Sequence, residues 1–457
     1  MLRLFRHYVP GIALAVIAAD ASIVIGAVWL SQLVLGTWLG DPPLWPKIVA
    51  LVGLTSFTLY LGDLYKTDLR LGRRELAARL VIALTASAVL VAAAGFAVPP
   101  LRFGRLAFFQ IVGLGLGGLM LWRIAWTRIR STERLSRRVL VLGVSRVADQ
   151  IMALRSLGSQ PFTVLGFIDD DPAAPDRIPV GAELLGKTGD LLSLIDELVP
   201  DLVLVALPDM RGALPTNDLL ECRLRGIPVE DWATFYEKQT GKVHVTGLRP
   251  SWLIFSDGFV KTSLTATVKR VGDIMLSIGM LLVALPVMAL VTALIKLDSR
   301  GPVLFRQERV GQNGRIFTLN KFRSMRTDAE RLSGAVWATT NDPRVTRVGR
   351  FLRRSRLDEL PQLFNVLVGN MSFIGPRPER PEFVRLLQRD IPFYMGRLAV
   401  KPGITGWAQV RHQYAASVED TLEKLQYDLY YIKNLSIALD LFIIFETVKT
   451  VILRKGA

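Results

Sequence analysis

Val271–Ser299 reads VGDIMLSIGMLLVALPVMALVTALIKLDS, an apolar run bounded by Lys269 and Arg270 on one side and by Lys296, Arg300, Arg306 and Arg309 on the other. As a straight helix it is long enough to cross a bilayer. Pro286 sits near its middle, where it removes a backbone hydrogen bond and bends a helix. Basic residues at both ends place both ends on the cytoplasmic side. The segment therefore reads as a re-entrant helix over 266–298 that enters one leaflet, breaks at Pro286 and returns. An ordinary spanning helix with a tolerated proline is the alternative. It would carry the basic, cysteine-free 300–435 region across the membrane, and that region reads as cytoplasmic.

Upstream, roughly 9–35, 45–62, 76–98 and 106–126 are four further stretches close to bilayer length. Arg3 and Arg6 precede the first, the 36–46 loop has no Lys or Arg, and Lys66, Arg70, Arg73 and Arg74 occupy the next loop, with only Arg102 and Arg105 opposing the pattern. Arg128, Arg130, Arg134, Arg137 and Arg138 follow the fourth, so both ends of this module face the cytoplasm. No small-residue cleavage site follows the first stretch, which reads as a retained anchor. From about 137, RRVLVLGVSR, TVLGFIDDDP and DLVLVALPD alternate with helix-like segments, a rhythm of parallel strands with crossover helices. Gly143 is followed by Val144, Ser145 and Arg146, so the second and third glycines of a dinucleotide fingerprint are missing. A Rossmann-like module without dinucleotide binding is expected, with Asp169, Asp170 and Asp171 forming a turn and the module serving as structure or as a homodimer surface. The aromatics of 230–262 carry no assigned chemistry.

The chain has 457 residues, 51% of them hydrophobic, and a formal charge of +16. Positive mean hydropathy, +0.35, favours membrane lipids and phosphorylated substrates over nucleic acid as the acidic partners. Cys222 is the single cysteine, which excludes an intrachain disulfide framework, and His7, His244 and His412 lack zinc-ligand spacing. The expected division is 1–133, a four-helix transmembrane module; 134–262, the Rossmann-like module and linker; and 263–457, a mostly helical catalytic domain.

The chemistry concentrates in Arg353–Arg380, RRSRLDELPQLFNVLVGNMSFIGPRPER. Asp358 and Glu359 lie between Arg353, Arg354 and Arg356 on one side and Arg377 and Arg380 on the other. So much guanidinium is expected to keep both acids ionised and to leave arginines free to grip phosphate oxygens. Pro361 belongs in a first turn, so a helix should begin close to Asp358. By itself such an acid pair is most often a helix cap. The GPRP turn at 375–378 and Lys321, Arg323 and Arg326 of KFRSMR change that balance. An ionised aspartate can attack phosphorus and form an acyl phosphate, with a divalent cation and arginines offsetting the diphosphate charge.

RSRLDELPQLFNVLVGNMSFIGPRPE, FRQERVGQNGRIFTLNKFRSMRTDAE and VKPGITGWAQV resemble the bacterial sugar transferases, the large monotopic-type phosphoglycosyl transferases that prime exopolysaccharide synthesis. The resemblance covers about 264–457. It implies transfer of a hexose-1-phosphate from a UDP-sugar to undecaprenyl phosphate with release of UMP, at the bacterial inner membrane. It also implies Asp358 as nucleophile, Glu359 as a Mg²⁺ ligand, Arg353 and Arg377 on phosphate, and a helix break at Pro286. Lys321, Arg323 and Arg380 join the substrate-binding set. Asn370 stands where the family usually has aspartate, and Arg411-His412 where it usually has Asn-Gly. Other polysaccharide-assembly proteins are expected partners. A nucleotide-sugar oxidoreductase or dehydratase in the middle module and a non-enzymatic assembly scaffold are the rival readings. The C-terminal run IALDLFIIFETVKTVILRK reads equally as an interfacial or a core helix.

Overall fold

The computed structural model describes residues 2–4, 7–9, 11–35, 44–65, 73–130, 136–157, 162–207, 214–246, 258–259, 262–327, 342, 344–412 and 417–452. Arg6, Lys66, Arg70 and Arg134, named above, lie outside these residues, as do Trp252 and Phe255 of the 230–262 aromatics and Arg454 and Lys455 after the C-terminal apolar run. The chain divides after Thr240 into two compact units.

In the first unit, helices Gly11–Leu35, Leu44–Leu61, Arg73–Ala97 and Arg105–Arg130 match the four apolar stretches. Their mutual core is Val24, Val28, Leu59, Leu80 and Leu119, while Leu33, Ile82 and Phe109 point outward. Apolar residues on both the inner and outer faces are what a helix in lipid requires. Several polar side chains pair inside the bundle: Arg123 donates to Asp20 at 2.5 Å and to the Leu64 carbonyl at 2.7 Å, and Thr55 meets Ser87 at 2.8 Å. Among the described residues, these four helices and Ser263–Asp298 are long and apolar enough to cross a membrane.

The same unit contains a five-stranded parallel sheet, in the order Leu184–Gly186, Phe162–Ile168, Arg137–Leu142, Leu202–Val205, Val229–Asp231. Alternate residues of the central strand fill opposite faces. Val139 and Val141 pack with Ile151, Trp232 and Phe235, and Leu140 and Leu142 with Ile195 and Cys222. Both faces are covered, which explains the unbroken apolar run of each inner strand. Trp232 and Phe235 of the expected linker belong to this core, in the helix Trp232–Thr240.

Among the described residues, the second unit holds the helix Ser263–Asp298, an antiparallel hairpin of Leu304–Val310 with Ile316–Phe322, and six shorter α-helices. The long helix is continuous through Pro286, so the proline does not divide it into two elements as expected. Arg270 near its start donates to the Val366 and Leu367 carbonyls, both at 2.6 Å, and Asp273 accepts from Ser372 and Phe373. Near its end, Val291 and Ile295 pack with Phe322 and Leu352. The C-terminal helix Ile437–Ile452 buries Leu439 and Ile443 while exposing Leu441 and Val448, so one of its faces is core.

Candidate active site

Local structure around the acid pair follows from three neighbours. Thr346 caps the helix Arg347–Arg354 by accepting from the Gly349 amide at 2.9 Å. Arg356 then adopts a left-handed conformation, φ 57°, that turns the chain. Leu357–Glu359 forms a single 3₁₀ turn, and the following helix, Gln362–Val368, starts just after Pro361. The carboxylates thus precede the helix that was expected to begin at Asp358. Leu357 and Leu360 pack against the Val291, Ile295 and Leu352 cluster and drive Asp358 inward, to 7% exposure. Asn365 ties the same helix to the hairpin: its Oδ1 accepts from the Asn320 amide at 3.1 Å and its Nδ2 donates to Thr318 at 2.7 Å.

The two acids differ sharply. Glu359 Oε1 accepts from Arg377 at 2.8 Å and Lys321 at 3.3 Å, with Arg356 at 3.8 Å. Burial works to raise the Glu359 carboxyl, but Arg377, Lys321 and Arg356 outweigh it and hold the group below the usual carboxylate range. Asp358 Oδ1 is buried and accepts no hydrogen bond. Burial, then the neighbouring Glu359 charge, push Asp358 above its ordinary value despite Lys321, Arg353 and Arg377. The cations expected to keep both acids ionised thus hold Glu359 low, while burial raises Asp358. Burial in turn lowers the Lys321 ammonium.

Of the residues singled out from sequence, Lys321, Arg353 and Arg377 face the acid pair. Arg353 is steered by Ser324, whose Oγ accepts from its Nε at 2.9 Å. Arg323 is committed elsewhere: its guanidinium donates to the Ser299 and Arg300 carbonyls at 2.8 and 2.9 Å, capping the long helix. This placement corrects its inclusion among substrate groups. Arg380 lies 3.6 Å from Glu382 and over the Phe383 ring. Pro286 lies within the continuous helix. Sequence reasoning missed Ser324, Arg309 and Arg397. Only the KFRSMR spacing offered a signal, and only for the first.

Among the described residues no three His, Cys, Asp or Glu side chains cluster to hold a metal. The unsatisfied Asp358 oxygen beside the Glu359 carboxylate nonetheless fits a hard cation that takes its remaining oxygens from phosphate and water.

Residues 264–454 match the family described as Bacterial sugar transferase. The exopolysaccharide production protein PSS of Rhizobium leguminosarum bv. phaseoli is 45% identical over 194 residues, covering 41% of this chain and 97% of the relative. The chain belongs to the bacterial sugar transferase family. It is also 46% identical over 239 residues to the UDP-N-acetylgalactosamine-undecaprenyl-phosphate N-acetylgalactosaminephosphotransferase of Aeromonas hydrophila, covering 52% of this chain. With the undecaprenyl-phosphate glucose phosphotransferase of Komagataeibacter xylinus it shares 37% identity over 335 residues, 71% of this chain. These matches span 56% and 61% of those two relatives, less than two thirds of their length.

Residues 61–213 of this sugar transferase match a family described as CoA-binding domain. The turn after the central strand does not fit a pyrophosphate. A Cβ on Gly143 would lie 2.9 Å from the Leu207 backbone nitrogen, and the Val144 amide already donates to Asp169 at 2.5 Å. An anionic carboxylate thus occupies the amide that a phosphate would need. Asp171 bonds Arg177 and Asp170 accepts from the Thr188 amide, so all three acids serve the turn.

Proposed function

We propose that this sugar transferase moves a hexose-1-phosphate from a UDP-hexose to undecaprenyl phosphate in two steps on Asp358, the first reaction of exopolysaccharide or capsule synthesis. The observation that carries the reading is the buried, unsatisfied Asp358 oxygen beside a Glu359 held by Arg377 and Lys321. An Asp358 oxygen attacks the phosphorus that bears the sugar, and the bond from that phosphorus to the bridging oxygen breaks. UMP leaves with that oxygen and its electron pair. The acyl phosphate then yields to an oxygen of undecaprenyl phosphate, releasing the carboxylate and forming the lipid diphosphate sugar. A desolvated carboxylate with raised proton affinity is a better nucleophile once ionised. Arg353 and Arg377 would stabilise the equatorial oxygens as charge develops on them. Mg²⁺, held by Glu359 with Asp358 nearby, would offset diphosphate charge that otherwise repels the attack.

The relatives' names include both glucose and N-acetylgalactosamine, so the reading stops at the class of UDP-hexose. The reaction would occur at the cytoplasmic face of the bacterial inner membrane. The Ser263–Asp298 helix is proposed to be re-entrant. Arg270 and Ile295 are 25 residues apart, roughly 37 Å along a straight helix. Yet their contacts, Val366–Leu367 and Leu352, belong to one small unit. Between them Leu282, Val283, Leu285 and Leu290 are exposed, as lipid-facing residues would be. A homodimer through the parallel-sheet module belongs to the same proposal, and light scattering of purified protein tests it. The reaction is tested by UMP release across a panel of UDP-hexoses, with and without undecaprenyl phosphate. Acceptor-dependent release is expected for at least one, and release from none would overturn the reading.

A further inference from the structure

The turn that carries Arg377 is held at every carbonyl from 376 to 379. Pro376 accepts from the Gly403 amide at 2.9 Å, and Glu379 from the Val310 amide at 2.9 Å. The two carbonyls between them take side-chain donors: Pro378 accepts from Arg309 at 2.9 Å, and Arg377 from Arg397 Nη2 at 2.9 Å. Prolines at 376 and 378 cannot donate from the backbone, so the turn has few amides with which to fix itself. The missing restraint comes from guanidinium groups.

Arg397 is built for this task. It is 6% exposed, and its Nε and Nη2 lie 3.1 and 2.9 Å from Asp428 Oδ2, while Nη1 donates to the Tyr394 hydroxyl at 2.9 Å. Asp428 and Tyr394 are themselves buried. A buried guanidinium needs a counter-charge and a partner along each edge, and this one has both. Its remaining donor direction ends on the main chain of the residue whose side chain clamps Glu359. Rotation of that peptide would swing Arg377 away from Glu359, so a small change at Arg397 is transmitted directly to the site.

We propose that Arg397, braced by Asp428 and Tyr394, is a positioning residue for the transfer, fixing the Arg377 backbone so that its guanidinium meets phosphate in one orientation. This rests on the phosphate role of Arg377 proposed above. Four arginines of this unit then divide into two pairs: Arg353 and Arg377 face the reacting groups, while Arg309 and Arg397 hold the turn.

The test is a double-mutant cycle on the full chain in lipid nanodiscs, following UMP release with Arg377→Ala, Arg397→Lys and both together. Lysine keeps the charge but cannot span Asp428, Tyr394 and the carbonyl at once. Arg397→Lys is expected to lower kcat/KM about 10- to 100-fold, split between kcat and KM as in Arg377→Ala. The double variant should match Arg377→Ala within about twofold. Losses that multiply, or an Arg397→Lys enzyme of wild-type activity, would overturn the proposal. If Arg397→Lys does not fold by thermal unfolding, Tyr394→Phe takes its place in the cycle, with a smaller loss expected and the same non-additivity required. If Arg377→Ala is itself fully active, the positioning role falls with the phosphate role. The Asp358 intermediate is read separately, by retention of label on the protein, and would still stand.

Discussion

Asp358 and Glu359 are adjacent in the chain and opposite in proton affinity, because one oxygen of Glu359 collects three cations while Asp358 faces inward with an oxygen unsatisfied. The attack on phosphorus needs an ionised aspartate, so activity should be lost as pH falls through the raised Asp358 pKa. The acid limb of kcat/KM should therefore have its midpoint above the ordinary 3.8, and a midpoint at or below it would contradict the site as described. Stability follows the other acid. Glu359 is depressed on folding, so its contribution is present above the ordinary value of 4.5 and is lost as pH falls below it. Asp358 strains the fold at neutral pH, and Asp358→Asn should abolish turnover while leaving thermal stability equal or higher. Thermal unfolding in detergent checks this, and an inactive variant that has simply unfolded would not support the account. The acid pair and Arg377 were legible because proline and charge sit close to them in sequence. The split between the acids was not, since it depends on Lys321 in the hairpin and on packing by residues as distant as Val291.

Among the elements, the Ser263–Asp298 helix shows how much a pattern can say and where it stops. Length, apolar content and flanking charges gave its existence and limits, within three residues at its start. Its continuity through Pro286, and its capping by Arg323 from the hairpin, depend on contacts distant in sequence. Arg323→Met should therefore lower stability by about 1–3 kcal/mol through unsatisfied helix-end carbonyls, with any activity loss following the unfolding. A large loss of activity at unchanged stability would return Arg323 to the substrate set. Re-entrance has its own readout. Cysteines introduced as Thr262→Cys and Arg300→Cys should both react with an impermeant thiol reagent from the cytoplasmic side, over a background kept low by the burial of Cys222. Reaction from opposite sides would make the helix a spanning one. A tighter contact lies where Ser372–Ile374 pairs in parallel with Gly403–Thr405. There a Cβ on Gly403 would lie 2.2 Å from the Gly375 nitrogen, so Gly403→Ala should cost about 1–3 kcal/mol.

At the scale of the molecule, bilayer-length apolar helices and a parallel α/β sheet were legible, because each has its own hydrophobic pattern. The sheet order was not written in that rhythm. Nor was the fate of the 230–262 stretch, whose Trp232–Thr240 helix joins the sheet while Val243 bonds Gln426 in the other unit. Nor was the hold that Asp169 and Leu207 have on the turn after Gly143. What unites these parts in function is the proposed covalent step on Asp358. The direct measurement is incubation of the membrane-embedded protein with a UDP-hexose labelled on the phosphate that bears the sugar, without lipid acceptor. The account predicts label retained on the wild-type protein, absent from Asp358→Asn, and chased into lipid when undecaprenyl phosphate is added. UMP release that proceeds normally on lipid addition, with no label ever held by the protein, would contradict it.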